Sequence, residues 1–427
     1  MRLFDTLTQE EREFKPLGET ATLYVCGITP YDTTHLGHAF LNVVFDTLVR
    51  YLRWSGQPIK YVQNVTDIDD DILRQARKVG KPWDVLGREE TDKYLADLRA
   101  LNVAPPDEYV RATDEIPHIV ELIQTLLAQG HAYERAGWVY YHVASDPGFG
   151  KLAEAAGYVG YASWLATANE RGNTPNDPRK RDPLDFVLWQ GQQTPDEPAW
   201  PSPWGPGRPG WHIECSAMAT HYLGPRIDLH GGGSDLIFPH HTCEIAQSEN
   251  ATGERPFVAF WLHIAMVGQD GTKMSKSLGN LTRVSELLPH VSADAVRLLL
   301  LSHHYRAEWE YTPALLAAAV ARADRLARVA TSAAGALSGA ATAPPPGAAA
   351  ATARAAFSAA LDDDLDTPGA LAALEALAGA IEEGAAPDSA TTLRELAGVL
   401  GLRLAALDNA SDAGAAPATG VTTPRGE

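Results

Sequence analysis

The chain has 427 residues, of which 35 are Lys or Arg and 54 are Asp or Glu, so its formal net charge is −19. This balance argues against a protein that coats a polyanion, although it leaves room for a small local basic site. With 45% hydrophobic and 21% charged residues, the chain is long enough for two or three domains and too apolar for general disorder.

The sequence has no apolar run of about 18 residues and no N-terminal export pattern, so we expect a cytoplasmic protein. Its three cysteines are Cys26, Cys215 and Cys243, too few and too scattered for a disulfide framework. Each of them is therefore a candidate for core packing, metal binding or nucleophilic chemistry.

The first strong pattern is a strand, a loop, a helix and a second strand between residues 21 and 65. TLYVC and IKYVQNV have strand character, and the segment between them shows apolar residues every three to four positions. Such a unit is a right-handed crossover, the building block of a doubly wound parallel sheet. The loops that follow the two strands, GITPYDTTHLGH and TDIDDD, should therefore face one crevice.

Residues 82–134 are predicted to be a helical insertion, because RATDEIPHIVELIQTLLAQG has helical apolar spacing and ends on glycine. Residues 147–209 are rich in Gly, Pro and Trp, and PSPWGPGRPGW is predicted to be a rigid loop that can be neither helix nor central strand. Helix and strand patterns then alternate again in WHIECSAMATHYL, PRIDLHGG, HHTCEIAQSENATG and FVAFWLHIAMVG. We therefore predict one α/β domain over residues 1–311.

Beyond residue 312 the composition becomes alanine-rich. The pattern predicts a helical domain over residues 312–408 with a linker at about 338–352, and a disordered tail over residues 409–427. This region has no interleaving of aromatic and basic residues that would grip a nucleic-acid strand.

Two short motifs indicate a site for binding phosphate groups if they act together. His35 and His38 in HLGH lie three positions apart at the start of a predicted helix, where imidazoles add donors to the N–H groups of the first turn. Lys273 and Lys276 in KMSKS lie in a Gly/Ser loop that can close over a triphosphate. Taken singly, an HxxH pair is more often structural or metal-binding, and a lysine pair is more often a solvated loop.

Cys26, Cys215, His240 and Glu244 form a plausible zinc set of two sulfurs, an imidazole and a carboxylate. His240 and Glu244 are four positions apart and share a helix face. The wide spread of the four residues means that spacing alone does not specify a metal. Cys243 is interpreted as a packing residue.

HLGH and KMSKS, in this order and on opposite halves of one α/β domain, make the sequence resemble the class I aminoacyl-tRNA synthetases. The resemblance implies a Rossmann-like doubly wound sheet with a helical C-terminal domain. It also implies adenylation of a carboxylic acid by ATP with Mg²⁺. In that reaction His35, His38, Lys273 and Lys276 would stabilise the loss of pyrophosphate.

YVCG around Cys26 and GWHIEC around Cys215 resemble the cysteine-activating branch of that superfamily. This resemblance implies one zinc ion per chain, held by Cys26, Cys215 and His240, which selects cysteine by binding its thiolate. Whether Glu244 is a further ligand stays open. The same resemblance implies contacts to the adenylate from Cys26, Gly27, Ile28, Thr29, Asn64, Val65, Thr66, Trp211, Gly233, Ser234, Asp235 and Val267.

The branch contains mycothiol ligases, which join cysteine to the amine of glucosaminyl-inositol, and cysteinyl-tRNA synthetases. CGITPYD and AMVGQDGTKMSKSLGNLTRVS resemble the ligases, as does ERGNTPNDPRKRDPLDF except at Asn173 and Thr174. Leu41 replaces a threonine of the ligases, and Glu244 within CEIAQSENATG is synthetase-like. The resemblance thus implies a monomeric ligase that uses L-cysteine, ATP and a small amine. Charging of tRNA-Cys is the alternative, and a non-catalytic synthetase-like binding module is the second alternative.

The attacking amine must arrive without its extra proton. Asp67 and Asp69 in TDIDDD are candidates to accept that proton. A carboxylate in TDIDDD is equally consistent with capping a helix or with binding the ammonium group of the substrate.

Overall fold

The computed structural model describes residues 1–31, 34–269, 271–273, 281–332, 347–385 and 388–405. Within these ranges the strands are β1 (Arg2–Asp5), β2 (Glu10–Glu13), β3 (Ala21–Ile28), β4 (Ile59–Val65), β5 (Glu108–Arg111), β6 (Ala132–Arg135), β7 (Trp138–Tyr141), β8 (Phe186–Gly191), β9 (Gly207–Pro209), β10 (Ile227–Gly233), β11 (Val258–Ile264), β12 (Val267–Gln269), β13 (Thr272–Lys273) and β14 (Trp309–Glu310).

The α-helices in the same ranges are α1 (Leu36–Trp54), α2 (Asp70–Val79), α3 (Trp83–Ala100), α4 (Ile116–Ala128), α5 (Lys151–Ala155), α6 (Gly160–Glu170), α7 (Trp211–Leu223), α8 (Thr242–Thr252), α9 (Val284–Leu287), α10 (Ala293–Leu301), α11 (Pro313–Ser332), α12 (Ala348–Asp362), α13 (Thr367–Glu382) and α14 (Asp388–Val399).

The central sheet has the strand order β11-β10-β3-β4-β5, and all of its neighbouring strands are parallel. This confirms the predicted doubly wound α/β fold. After β3 the chain continues to β4 on one side of it, and β10 later pairs with β3 on the other side. The order therefore reverses at β3, which places a ligand crevice at the carboxyl ends of β3 and β10.

Helix α1 packs its apolar face on this sheet, as its spacing predicts. Phe40, Val44 and Leu48 are almost completely buried. Gly231 of β10 has no side chain because the ring of Phe45 fills that space, where a Cβ atom would lie 2.0 Å from Phe45 Cζ. This close contact fixes the position of α1 relative to the carboxyl end of β10.

A second, antiparallel sheet with the order β6-β7-β8-β9 is inserted between β5 and β10. Ile123 of α4, Val139 of β7 and Ile213 of α7 are buried in its own apolar cluster. The helical prediction for residues 82–134 omitted β5, which belongs to the central sheet, and β6. The rigid-loop prediction for PSPWGPGRPGW omitted β9, which lies inside it, and no prediction covered α5, α6 and β8 in the Gly-, Pro- and Trp-rich stretch before it. Each of these strands has six residues or fewer, too short for a clear periodic pattern.

The C-terminal region is helical, as predicted, and consists of α11 to α14 in the described ranges. Helix α12 begins inside the segment predicted as a linker (338–352), and residues 338–346 lie outside the described residues. The predicted tail (409–427) also lies outside them. None of the described helices has the length and apolar character needed to cross a membrane.

Candidate active site

The carboxyl ends of β3 and β4 are joined by side-chain and backbone contacts. The Gly27 amide donates to Asn64 Oδ1 at 2.9 Å, and the Thr66 amide donates to the Ile28 carbonyl at 3.0 Å. A Cβ atom on Gly27 would lie 1.6 Å from the Asn64 carbonyl oxygen, so only glycine allows the two strands to approach this closely here. Asn64 Nδ2 also donates to Thr66 Oγ1 at 3.2 Å.

Cys26, Cys215, His240 and Glu244 come together at this end of the sheet, with one donor atom from each lying within 4.8 Å of the others. Cys26 Sγ lies 3.8 Å from Cys215 Sγ and 3.6 Å from Glu244 Oε1. His240 Nε2 lies 3.1 Å from the same Glu244 oxygen. All four residues are buried. A tetrahedral zinc site with Zn–S bonds of about 2.3 Å has sulfur atoms about 3.8 Å apart, so the two thiols are spaced as such a site requires.

A network of histidines, not predicted from the sequence, surrounds the four donors; His230, His241 and His263 are buried and His212 is partly buried. His212 Nδ1 lies 2.9 Å from His240 Nδ1, and His230 Nε2 lies 2.8 Å from Glu244 Oε2. His241 Nε2 lies 3.4 Å from Cys26 Sγ, and its Nδ1 lies 2.7 Å from His263 Nε2. These contacts orient His240 and Glu244 and leave His240 Nε2 directed at the cluster. The adjacent His240 and His241 in the sequence were the only available signal for this network.

Burial dominates the electrostatics of the cluster. It raises the pKa of the Cys26 thiol well above its usual range and lowers the pKa of His240 well below its usual range. The pKa of His212 falls to about 4 and that of His263 to about 3, both because of burial. Burial therefore favours the neutral imidazole at His212, His240 and His263, and a neutral imidazole has a lone pair that can bind a cation.

Helix α7 begins at Trp211, and its first turns place Trp211 and Cys215 on adjacent turns. The indole ring of Trp211 stacks on His240 with centroids 4.3 Å apart and an interplanar angle of 28°. Trp211 therefore borders the cluster. Cys243 packs instead in the core beneath the antiparallel sheet and belongs to neither of the two buried groups of potential metal ligands that contain Cys26.

His35 and His38 lie at the amino end of α1, directly beyond β3. Their rings stack with centroids 3.8 Å apart, and His35 Nδ1 accepts the Gly37 amide at 3.1 Å as an N-cap. A backbone bridge links His35 to Arg283, which follows the KMSKS segment. The backbone of Lys273 lies in β13, whereas Lys276 and most of KMSKS lie outside the described residues. The pairing places Arg283, six residues after the end of KMSKS, beside the first motif.

The remaining predicted contact residues lie on neighbouring strand ends. Gly233 closes β10, and the next two residues form a short turn after it. Val267 is buried at the start of β12, which pairs in parallel with β14. Leu41 on α1 packs against the main core. Thr29, Val65, Ser234 and Asp235 complete the set around the crevice.

A cavity of about 940 Å³ extends from this crevice toward the antiparallel sheet. Thr29, Trp211 and Asp235 line it together with Asp69 and Lys180. Three of the twelve predicted contact residues, Thr29, Trp211 and Asp235, thus lie on the wall of one cavity. A volume of this size accommodates a nucleotide-sized or sugar-sized ligand.

The two acidic candidates in TDIDDD have different environments. Asp67 is buried and accepts hydrogen bonds from Arg111 Nε at 3.0 Å and from the backbone and side chain of Thr113. Asp69 lines the cavity and caps α2 by accepting the Asp71 amide at 2.8 Å. Burial raises the pKa of Asp69. Of these two candidates only Asp69 lines the cavity, and it also caps α2.

Comparison with known proteins identifies the class. The chain belongs to the family described as tRNA synthetases class I (C) catalytic domain, which it matches over residues 13–321, and residues 356–405 match the DALR domain. The methionyl-tRNA synthetase of Mycobacterium tuberculosis in complex with methionyl-adenylate has the same fold, with a TM-score of 0.62, 18% identity and 90% of each chain covered.

Curated relatives of this chain have a more specific name than the family does. A protein of Frankia casuarinae is 47% identical over 395 residues, which cover 91% of this chain and 81% of the relative. A protein of Acidothermus cellulolyticus is 45% identical over 402 residues, covering 93% and 94%. Both are named L-cysteine:1D-myo-inositol 2-amino-2-deoxy-alpha-D-glucopyranoside ligase.

Proposed function

We propose that this chain is an ATP-dependent ligase that activates L-cysteine as cysteinyl-AMP and transfers the cysteinyl group to the amine of glucosaminyl-inositol. The observation that carries the proposal is the buried cluster of two thiols, an imidazole and a carboxylate beside the cavity, at the switch point of a class I synthetase sheet. The name of the relatives supports cysteine and the sugar amine as the two substrates that are joined.

Cys26, Cys215, His240 and Glu244 would hold one zinc ion. The chemistry of the donors supports zinc, because thiolate and imidazole are the ligands that zinc prefers. The distances among the four donor atoms and the histidines behind them support a site whose ligands are held in place. Because zinc prefers sulfur, a bound ion favours cysteine over the otherwise similar serine.

His35 and His38 would stabilise negative charge on the phosphates while the cysteine carboxylate displaces pyrophosphate from ATP. Their position at the amino end of α1 supports this role, since the helix end adds N–H donors and a favourable dipole. Lys273 and Lys276 would act with them, supported by the backbone bridge between His35 and Arg283. In this step the carboxylate oxygen bonds to the α-phosphorus of ATP, and pyrophosphate leaves with Mg²⁺.

The adenylate would bind across the ends of β3, β4 and β10, with the cysteinyl group against Trp211. The hydrogen bonds that join Gly27, Asn64 and Thr66 support a rigid floor for it. The complete set of proposed contacts is Cys26, Gly27, Ile28, Thr29, Asn64, Val65, Thr66, Trp211, Gly233, Ser234, Asp235 and Val267.

The acceptor amine would enter through the cavity and attack the carbonyl carbon of the adenylate, which forms an amide bond and releases AMP. Asp69 would accept the proton that the amine loses. Its place on the cavity wall and its raised pKa support this role, whereas the carboxylate of Asp67 is occupied by Arg111 and Thr113.

We also propose that the reaction takes place in the cytoplasm, where ATP is supplied and thiols stay reduced. All three cysteines of the chain carry free thiols, which supports a reducing compartment. A monomer would suffice for the proposed chemistry, because all the proposed site residues come from one chain.

The test is release of AMP from ATP by the purified protein, measured with cysteine alone and with cysteine plus either glucosaminyl-inositol or unfractionated tRNA. We expect stimulation by the sugar amine and not by tRNA. Stimulation by tRNA alone would make the chain a cysteinyl-tRNA synthetase. Failure to exchange pyrophosphate into ATP in the presence of cysteine would leave only a binding module. Serine in place of cysteine is the matched control and should give no exchange.

A further inference from the structure

A second group of metal-ligand side chains lies away from the crevice, where α4 packs against α7. It consists of Glu115, His118 and His221, whose donor atoms all lie within 4.8 Å of one another. Glu115 precedes α4, His118 lies in its first turn, and His221 lies in the last turn of α7. The imidazole rings of His118 and His221 stack with centroids 3.6 Å apart. Packing of the two helices thus brings together ligands that are about a hundred positions apart in sequence.

The group has a buried carboxylate and accessible imidazoles. Glu115 is only 5% exposed, whereas His118 and His221 reach the surface. Glu115 Oε2 lies 2.7 Å from His118 Nδ1, and Glu115 Oε1 accepts the Tyr222 hydroxyl at 3.0 Å. The Tyr222 hydroxyl thus helps to hold the carboxylate in one orientation, as an outer contact does in a metal site.

The surroundings are acidic. The carboxylates of Glu115, Glu108 and Asp114 all act electrostatically on the neighbouring Tyr222 hydroxyl, so they lie close to one another. Carboxylates grouped in this way attract cations. Solvent reaches the two imidazoles, so an ion can enter without opening the core.

We propose that Glu115, His118 and His221 form a second metal site, which takes a divalent first-row transition ion such as Zn²⁺ or Ni²⁺. Two imidazoles and one carboxylate suit these ions and discriminate against Mg²⁺ and Ca²⁺, which prefer ligands that are all oxygen. Small rotations of the accessible imidazoles bring the donors to bonding distance of one ion. Water completes the coordination.

An ion at this site would fasten the carboxyl end of α7 to α4. The amino end of the same helix carries Trp211 and Cys215. At a rise of about 1.5 Å per residue, Cys215 and His221 are separated by about 9 Å along the helix axis. The proposed site differs in its ligands from the cluster of Cys26, Cys215, His240 and Glu244, because it contains no sulfur. Its existence does not depend on the proposed reaction.

The test is titration of the full chain with Co²⁺ and Ni²⁺ by calorimetry, after its resident metal content has been measured. We expect wild type to bind one further equivalent of metal. The absorption spectrum of the bound Co²⁺ should show weak visible bands and none of the intense near-ultraviolet bands that thiolate ligands produce. His118→Ala and His221→Ala should each weaken this binding by about a hundredfold, since even the loss of an outer contact costs roughly 10–100-fold. Both positions are accessible, so the variants should keep the wild-type fold.

His290→Ala, which removes an exposed histidine outside every such group of described residues, is the matched control and should bind like wild type. A further equivalent that persists in the His118→Ala and His221→Ala double variant would overturn the proposal. So would binding seen only at millimolar metal concentrations, which would mark an adventitious ion.

Discussion

Trp211 stacks on His240, with the two ring centroids 4.3 Å apart, and so forms a wall beside the sulfur atoms of Cys26 and Cys215. The contact joins the first residue of α7 to the segment that leads into α8. We therefore expect a substrate bound at the cluster to lie against the indole ring.

Trp211→Ala should raise the KM for cysteine in pyrophosphate exchange by about fivefold, because aromatic packing of this kind contributes about 1 kcal/mol. Trp211→Phe keeps a ring over His240 and should retain most of the wild-type KM. Steady-state kinetics of the two variants provides the comparison. An unchanged KM in Trp211→Ala would contradict a role for this ring in binding cysteine.

Removal of one sulfur should remove the metal. In Cys215→Ala we expect the zinc content, measured by mass spectrometry of the purified protein, to fall from about one per chain to near zero, because two of the four donors in this site are thiols. Cys243→Ala changes another buried cysteine that lies outside the cluster and should keep its zinc. Full zinc in both variants would exclude Cys215 as a ligand.

His35→Asn should reduce the rate of cysteine-dependent pyrophosphate exchange by about 10²- to 10³-fold, the usual cost of losing one donor to a developing negative charge. Asparagine is also a good N-cap, so α1 should keep its first turn and the thermal unfolding midpoint should stay close to wild type. The same fold with undiminished exchange would show that His35 only caps the helix.

Asp69→Asn should separate the two half-reactions. Asparagine can still cap α2, but it cannot accept a proton, so transfer to the amine should slow by about 10²-fold while pyrophosphate exchange stays near wild type. Because the amine must lose its proton, the transfer rate of the variant should recover at higher pH. Equal loss of both half-reactions would instead indicate a structural role for Asp69.

Arg297 is a buried residue whose hydrogen bonds connect the α/β domain to the C-terminal helices. Its Nη2 donates to Asp46 Oδ2 at 2.7 Å and its Nε donates to the Leu400 carbonyl at 2.8 Å. Arg297→Ala leaves Asp46 buried with one fewer cation, so we expect a loss of about 3 kcal/mol in the free energy of unfolding measured with urea. Arg325→Ala breaks an exposed pair with Glu382 and should leave the unfolding midpoint unchanged.

Much of the architecture followed from local sequence patterns. The strand, loop and helix around Cys26 and His35 occupy a continuous stretch, and apolar spacing depends only on which face of each element is buried. This is why the parallel sheet and the helical C-terminal region were predicted correctly, and why HLGH could be placed at a helix start. Short strands such as β5 and β8 were missed, because few residues give little periodic signal.

The sequence by itself determined the parallel type of the sheet, the crossover from β3 through α1 to β4 and the inventory of thiols, imidazoles and carboxylates. Only the tertiary structure decided which of them meet. Packing of α7 and α8 against β3 brings Cys215 within 3.8 Å of Cys26 and places a shell of histidines behind them, although these residues are far apart along the chain. Such distances depend on how whole elements pack against one another. No local pattern of residues records that packing.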